Sequence, residues 1–333
     1  MWSNFNITSA WPLNRRISIA PMMDCTHRHF RMLARCLSQH TLLYTEMLTT
    51  AAILHGNRET LLGFDAREHP VGLQLGGSDP QALAQCARIA YEFGYDEVNL
   101  NVGCPSDRVQ AGCFGACLML EPKLVAECVA AIQQVVPIPV TVKTRLGVDE
   151  YDDDVFLRRF VDLVRNAGCK TFIIHARKAW LKGLSPRENR EVPPLQYERV
   201  YALKRDYPQL EIIINGGIHT ISEMQQHLSH VDGVMLGREP YAHPYVMATF
   251  DREFYESDLA IPSRSVVLKE YIHYVHFQLA KGVPLRFLVR HLVGLFHGVV
   301  GARGWRRFIS ERLNELANEE LFLQQLSGIF EEL

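Results

Sequence analysis

The chain has 333 residues, 47% of them hydrophobic and 22% charged, with a formal net charge of −2. That composition excludes a disordered segment and a uniformly basic nucleic-acid binder, so any nucleic-acid site must be a local patch. The length exceeds one typical domain but suits a (β/α)8 barrel of about 250 residues with a small appendage.

The first residues, MWSNFNITSAWPLNRR, lack a basic segment followed by an apolar run and do not read as a signal peptide. Short apolar runs rich in β-branched residues follow at 17–22, 42–47, 71–75, 97–102, 140–144, 171–175, 211–215 and 233–236. Helix-like segments lie between most of them, at 80–93, 123–135, 153–167, 196–207 and 221–230. Asp79 before Pro80 makes a good N-cap with proline in the first turn. Strands alternating with helices imply a parallel sheet with right-handed crossovers, and eight of them predict a closed TIM barrel over residues 1–254. An open doubly wound sheet binding a dinucleotide is the alternative. It calls for GxGxxG after the first strand, where this chain has APMMD.

After Pro262 the strand signals stop. Helix-period segments at 266–279, 286–296, 305–317 and 319–329 predict a small all-α domain over residues 255–333. The most apolar late stretch, 287–302, carries Arg290, His291 and His297 and so reads against a membrane span. The eight cysteines, at 25, 36, 86, 104, 113, 117, 128 and 169, form no CxxC pair. They read as reduced thiols in a cytoplasmic protein, neither a disulfide frame nor a zinc site. Nothing in the sequence sets an oligomeric state, and a monomer is the default expectation.

The chemistry is expected at the C-terminal ends of the barrel strands, where such barrels place their sites. These ends carry Pro21, Met22 and Met23; Glu46; Gln74; Asn99, Asn101 and Cys104; Lys143 and Arg145; His175 and Arg177; Asn215-Gly216-Gly217; and Gly237-Arg238. Cys104 sits in NVGCPS, where Gly103 frees the backbone and Pro105 blocks a helix. A packing cysteine is the plain alternative, since free cysteines are usually buried fillers. The two glycine-bearing ends, at the seventh and eighth strands, occupy the usual phosphate position of such barrels. A phosphate site beside apolar groups points to flavin mononucleotide (FMN). Lys143 and His175 would face the polar edge of its ring or its phosphate arm, Pro21, Met22 and Met23 would lie along the ring, and Gln74 would hold the pyrimidine part. A cation at that edge stabilises the reduced, anionic flavin.

At family level, APMMD, LLYTEM, LQLGGSDP, NLNVGCPSDRVQAGCFGACLM, VTVKTRLG, FIIHARKAWLKGLSPRENR, INGGI and GVMLGR resemble the tRNA-dihydrouridine synthases, most closely the bacterial subfamily A, which modifies the D-loop. The resemblance covers roughly residues 15–245, and the helical tail is of the family's type. It implies flavin contacts at Pro21, Met22, Met23, Gln74, Lys143, His175, Asn215, Gly216, Gly217, Gly237 and Arg238, a catalytic Cys104, and tRNA-reading residues Asn101, Arg187, Arg190, Arg303 and Arg306. It also implies NADPH as reductant and uridines 20 and 20a as targets; the sequence itself displays no nicotinamide site.

The reaction so implied, saturation of the uracil C5–C6 bond, needs a hydride at C6 and a proton at C5. An ordinary thiol, with a pKa of about 8.5, is mostly protonated near neutrality, so a cysteine at this place can act as the general acid. A nucleophilic cysteine is the rival, and it would want a partnering base. A uridine within folded tRNA must be drawn from its stack to reach the flavin. Residues 281–312 hold seven Lys/Arg against one acid, Glu311, and GARGWRR places arginines and Trp305 beside glycines, a composition suited to phosphate contact and stacking. A second basic loop, 177–190, adds Lys178, Lys182, Arg187 and Trp180. Two other readings stand beside this one. A flavin barrel acting on a small molecule would not need the basic tail. A non-catalytic RNA-binding protein would not be yellow.

Overall fold

The computed structural model describes residues 13–312. Within them eight parallel strands, β1 Ile17–Ile19, β2 Leu43–Thr49, β3 Val71–Gly76, β4 Glu97–Val102, β5 Val140–Arg145, β6 Thr171–His175, β7 Glu211–Asn215 and β8 Gly233–Leu236, pair in the order β1-β8-β7-β6-β5-β4-β3-β2. A bridge between Ser18 and Leu42 closes the ring, with Ile19 N donating to Leu42 O at 2.9 Å. Helices stand between the strands, so the predicted (β/α)8 barrel is the fold.

Local chemistry explains the helix starts. The Asp79 carboxylate accepts from Ala82 N at 2.7 Å, with Pro80 at the first helical position of Pro80–Glu92. Asp153 caps Asp154–Asn166 in the same way, and Thr220 with Glu223 forms a capping box on Ile221–Leu228. The main core lies between the strands' outer faces and these helices. Val98, Leu100 and Val102 of β4 point there, beside Leu83, Cys86 and Ala87 of one helix and Val125, Cys128 and Val129 of the next, Pro122–Gln133.

The barrel interior is divided. Ala20, Leu42, Tyr44, Ile173, Ile213 and Met235 form a separate apolar cluster on the β1, β2, β6, β7 and β8 side. On the β3–β5 side the fully or nearly buried inward residues are Glu97, Asn99, Asn101, Gln74 and Thr141. Burying polar groups is costly unless each is hydrogen-bonded, and these are bonded to one another.

The sequence expectations differ from the structure at three places. The first strand ends at Ile19 rather than at 22: after Ala20 N donates to Leu236 O, Pro21 offers no N–H, and the Met22 carbonyl is bonded by Cys25 N and Thr26 N in a turn. Helix Arg28–Leu37, between β1 and β2, was not among the expected helices because Arg28, Arg31 and Arg35 obscure its buried face; Arg31 is nonetheless buried, paired with Glu68 at 2.6 Å. The expected helix 286–296 divides into Leu285–Val289 and a 3-10 turn, Arg290–Gly294.

Helices Arg264–Leu279 and Ala302–Arg312 follow the barrel; the expected helix 319–329, and the ends of the expected domains 1–254 and 255–333, lie outside the described residues. The late helices lie against Arg28–Leu37. Tyr271 Oη donates to His29 O at 3.1 Å and Leu288 O at 2.7 Å, and His27 and His291 meet Nε2 to Nε2 at 2.8 Å. All eight cysteines are unpaired thiols, and no helix among the described residues is long and apolar enough to cross a membrane.

Candidate active site

A cavity of about 600 Å³ opens at the C-terminal ends of the strands. Pro21, Met22 and Met23 line it from the β1 turn, Gln74 from β3, Asn101 and Cys104 from β4, Lys143 from β5 and His175 from β6. Asn215, Gly216 and Gly217 come from β7, Gly237 and Arg238 from β8, and Arg190 from the loop after β6. The structure thus brings together every expected flavin contact, the cysteine and two of the five expected tRNA-reading residues. Arg187 stays outside, 80% exposed and 3.5 Å from Glu191. Arg303 and Arg306 are exposed on helix Ala302–Arg312, away from this lining.

The backbone conformations explain the glycines. Gly216 has φ +115° and Gly217 φ +67°, values L side chains rarely adopt, and a Cβ on Gly217 would lie 2.6 Å from Leu195 Cδ1. Gly237 is different: it lines the cavity, and a Cβ there would reach only ordinary van der Waals contact, 3.7 Å from Met22 Sδ.

The Cys104 turn is held from three directions. Asn101 Oδ1 accepts from Gly103 N at 3.1 Å and Cys104 N at 3.0 Å. Cys104 O accepts from Ala116 N at 2.9 Å, and Gly103 O accepts from Arg145 Nε at 2.9 Å. Gly115 has φ +76°, and a Cβ added there would lie 2.5 Å from the Cys104 carbonyl oxygen, so the close approach of the two segments requires glycine. Half-buried Cys104 points its Sγ toward Ser106 Oγ, 3.6 Å away.

The cavity is cationic. Lys143 Nζ donates to Asn215 Oδ1 at 2.9 Å. Lys143 lines the cavity; burial, aided by the Arg145 charge, brings its pKa down to about 7. Burial, with Arg145 and Lys143, holds His175 well below the ordinary imidazole range, so it is neutral, and its buried Nδ1 has no hydrogen-bond partner among the described residues. Burial likewise lowers Arg145, to about 10. An anionic ligand would relieve all three.

Sequence reasoning missed His219 and Glu239, two residues beyond Gly217 and one beyond Arg238. Glu239 takes hydrogen bonds from His243 Nδ1 at 2.6 Å and His219 Nδ1 at 3.1 Å. Burial works to raise its carboxyl, but these bonds outweigh it and hold it below the usual range. The adjacent phosphate-type glycine ends were the available signal. One expectation is corrected: Trp305 is no stacking platform, being 2% exposed, packed on Phe296 and donating Nε1–H to Leu292 O at 2.8 Å. Helix periodicity places Arg303, Arg306 and Arg307 outward and turns Trp305 and Ile309 to the core. Lys178 is likewise occupied, by Asp152 at 2.9 Å and by the Trp180 ring.

A (β/α)8 barrel with a cationic, glycine-edged cavity and a cysteine on the opposing strand end defines a ligand-binding enzyme barrel. The family model described as Dihydrouridine synthase (Dus) matches residues 18–329, and the chain belongs to that family. It is 58% identical over 310 residues to a tRNA-dihydrouridine(20/20a) synthase of Shewanella oneidensis, covering 93% of this chain and 92% of that one. Proteins of the same name are 58% identical in Synechocystis, covering 89% and 88%, and 55% identical in Vibrio vulnificus, covering 96% and 98%. Among solved structures, a 2-naphthoyl-CoA reductase complex matches at 12% identity and TM-score 0.56, covering 71% of this chain and 50% of that one, which speaks to the fold alone.

Proposed function

We propose that this chain is a cytoplasmic, monomeric tRNA-dihydrouridine synthase that saturates the C5–C6 bond of D-loop uridines 20 and 20a. FMN would be its cofactor and NADPH its reductant. The observation that carries this is the cavity itself, edged by Gly216-Gly217 and Gly237 on one side and presenting Cys104 on the other, in a chain of this family. FMN fits what is present: an anion would answer Lys143, whose charge burial disfavours, His175 Nδ1 is left without a partner among the described residues, and the glycine at 237 keeps a side chain out of the cavity wall.

When bound, FMN would supply the hydride chemistry at uracil C6, with NADPH as the reductant. The chain does the rest. Cys104 Sγ holds the proton for C5, and the thiolate left behind lies within electrostatic reach of Lys143 and Arg145. Gln74 would hold the pyrimidine part of the ring, Lys143 and His175 would face its polar edge or phosphate arm, Pro21, Met22 and Met23 would lie along it, and Asn215-Gly216-Gly217 with Gly237 and Arg238 would hold the phosphate. Residues 1–254 would form the catalytic barrel and 255–333 a helical tRNA-binding domain.

The test is a dihydrouridine map of tRNA from cells lacking this protein, with a visible spectrum of the purified protein. A yellow protein, and loss at 20 and 20a alone, are expected. Loss at other D-loop uridines with 20 and 20a retained overturns the assignment.

Recognition would rest on Arg303 and Arg306 in the helical region, with Arg187, Arg190 and Asn101 at the barrel mouth. Each of Arg303→Ala and Arg306→Ala is expected to weaken tRNA binding and to flatten its log–log salt dependence by about one unit per lost phosphate contact. Flavin reduction by NADPH should be unchanged in both. A salt slope equal to wild type would remove these arginines from the interface.

A further inference from the structure

One hydrogen-bonded chain runs up the barrel interior from its floor to the Cys104 turn. At the floor, fully buried Glu97 pairs with Arg15 Nε at 2.6 Å and accepts from Tyr44 Oη, also at 2.6 Å. Thr141 Oγ1 donates to Glu97 Oε1 at 2.6 Å and accepts from Asn99 Nδ2 at 2.9 Å. Asn99 Oδ1 accepts from Gln74 Nε2 at 2.8 Å, and Gln74 Oε1 accepts from Asn101 Nδ2 at 2.9 Å. Asn101 Oδ1 then takes the N–H groups of Gly103 and Cys104.

The strand register builds this chain. Glu97, Asn99 and Asn101 share the inward face of β4, because side chains alternate along a strand. Gln74 of β3 and Thr141 of β5 are both in register with Asn99. Every link has one sense. A carboxylate in an ion pair only accepts, so the Thr141 hydroxyl must donate to it, leaving its oxygen to accept. Asn99 must therefore present its NH₂ to Thr141 and its oxygen to Gln74. The same logic turns the Gln74 oxygen to Asn101 and the Asn101 oxygen to the Cys104 turn. A side-chain amide rotated by half a turn would set donor against donor or acceptor against acceptor at a buried site, which is expensive.

We propose that Glu97, acting through Thr141 and Asn99, is a positioning residue that fixes which way the Gln74 and Asn101 amides point and so holds the Cys104 turn and the Gln74 amide in their working orientation. This deepens the proposed function and rests on its reading that Gln74 meets the flavin and Cys104 supplies the proton. Glu97, Thr141 and Asn99 do not line the cavity. Their effect on the reaction would be relayed through the two amides that do.

The experiment compares Thr141→Val, which keeps the shape and removes the hydroxyl, with Thr141→Ser, which restores it. Hydrogen exchange is followed by mass spectrometry on the peptide spanning 101–106, alongside the flavin spectrum and single-turnover reduction of tRNA. In Thr141→Val the turn amides are expected to exchange about tenfold faster or more, with β1 and β7 amides at the wild-type rate. Its flavin absorption band should shift, and single turnover should slow by about tenfold. Thr141→Ser should return all three toward wild type. Asn99→Leu, which cuts the next link, should reproduce the local change and serves if the valine variant does not fold. Unchanged exchange at 101–106 overturns the proposal. So does uniform acceleration across the barrel, which marks a merely structural role, and so does a serine variant that behaves like valine. Because the exchange readout needs no turnover, it stands or falls separately from the acid role of Cys104, which the alanine variant of that residue tests.

Discussion

Cys104→Ala is expected to slow single-turnover reduction of tRNA uridine by about 10²–10⁴-fold, the usual worth of a positioned general acid, while the protein stays yellow. The thiol is carried on β4, whereas the glycines and cations proposed to hold the flavin come from β5, β7 and β8. Its turn is held by backbone bonds to Asn101, Ala116 and Arg145, none of which uses the sulfur. Removing Sγ would therefore delete the proposed proton source and leave the cavity standing. Cys113→Ala and Cys117→Ala are the controls. Cys113 is exposed, and the Cys117 thiol is occupied by Phe114 O. Neither should change the rate appreciably. A Cys104→Ala enzyme with wild-type single-turnover rates would remove the acid role altogether.

Lys143→Met is expected to weaken flavin binding to the apoprotein by about tenfold or more and to abolish its pH dependence above neutrality. In the apoprotein Lys143 titrates near 7, because burial and Arg145 disfavour its charge. An anionic ligand beside it must raise that value. Binding above pH 7 therefore takes up a proton, so wild-type affinity is full below about pH 7 and falls as pH rises, by up to about tenfold per unit. The folding linkage runs with the opposite ligand state. A lysine titrates near 10.4 when unfolded, so between about pH 7 and 10 the unfolded apoprotein holds the extra proton and stability rises with pH. The methionine variant should lose that slope and melt higher than wild-type apoprotein at pH 7. Fluorescence titration of apoprotein with FMN at several pH values, with thermal melts alongside, checks both halves. A wild-type affinity that is flat from about pH 7 to 9 would show that Lys143 does not carry the charge that meets the cofactor.

Much of the barrel was legible because its signals are local. β-branched runs mark the strands, Asp79-Pro80 and Asp153 mark helix starts, and in this fold the strand ends point to the cavity wherever the loops go. The misreadings arose where local pattern and tertiary context disagree. The run 17–22 is apolar but for Ser18, yet Pro21 cannot pair and the strand stops at Ile19. Trp305 stands among arginines in sequence, but its place on the helix turns it into the core. Arg187 caps the start of a single 3-10 turn, Glu188–Arg190, that Arg190 ends, and only Arg190 reaches the cavity wall.

By itself, the sequence determined which residues stand at the strand ends, that Cys104 occupies a glycine-opened turn, and that two glycine ends share one side of the barrel. Only the tertiary structure decided what those residues experience. The lowered Lys143 comes from burial, aided by Arg145 on the same strand, and the neutral His175 from burial beside Arg145 and Lys143 of the neighbouring strand, with Arg177 and Arg190. The link from Glu97 to Cys104 passes through Thr141 and Gln74, residues 44 and 23 positions away from Glu97. Parallel strands acquire their register by packing across long crossovers rather than through a shared turn, so no local pattern announces which polar side chains will meet inside the barrel.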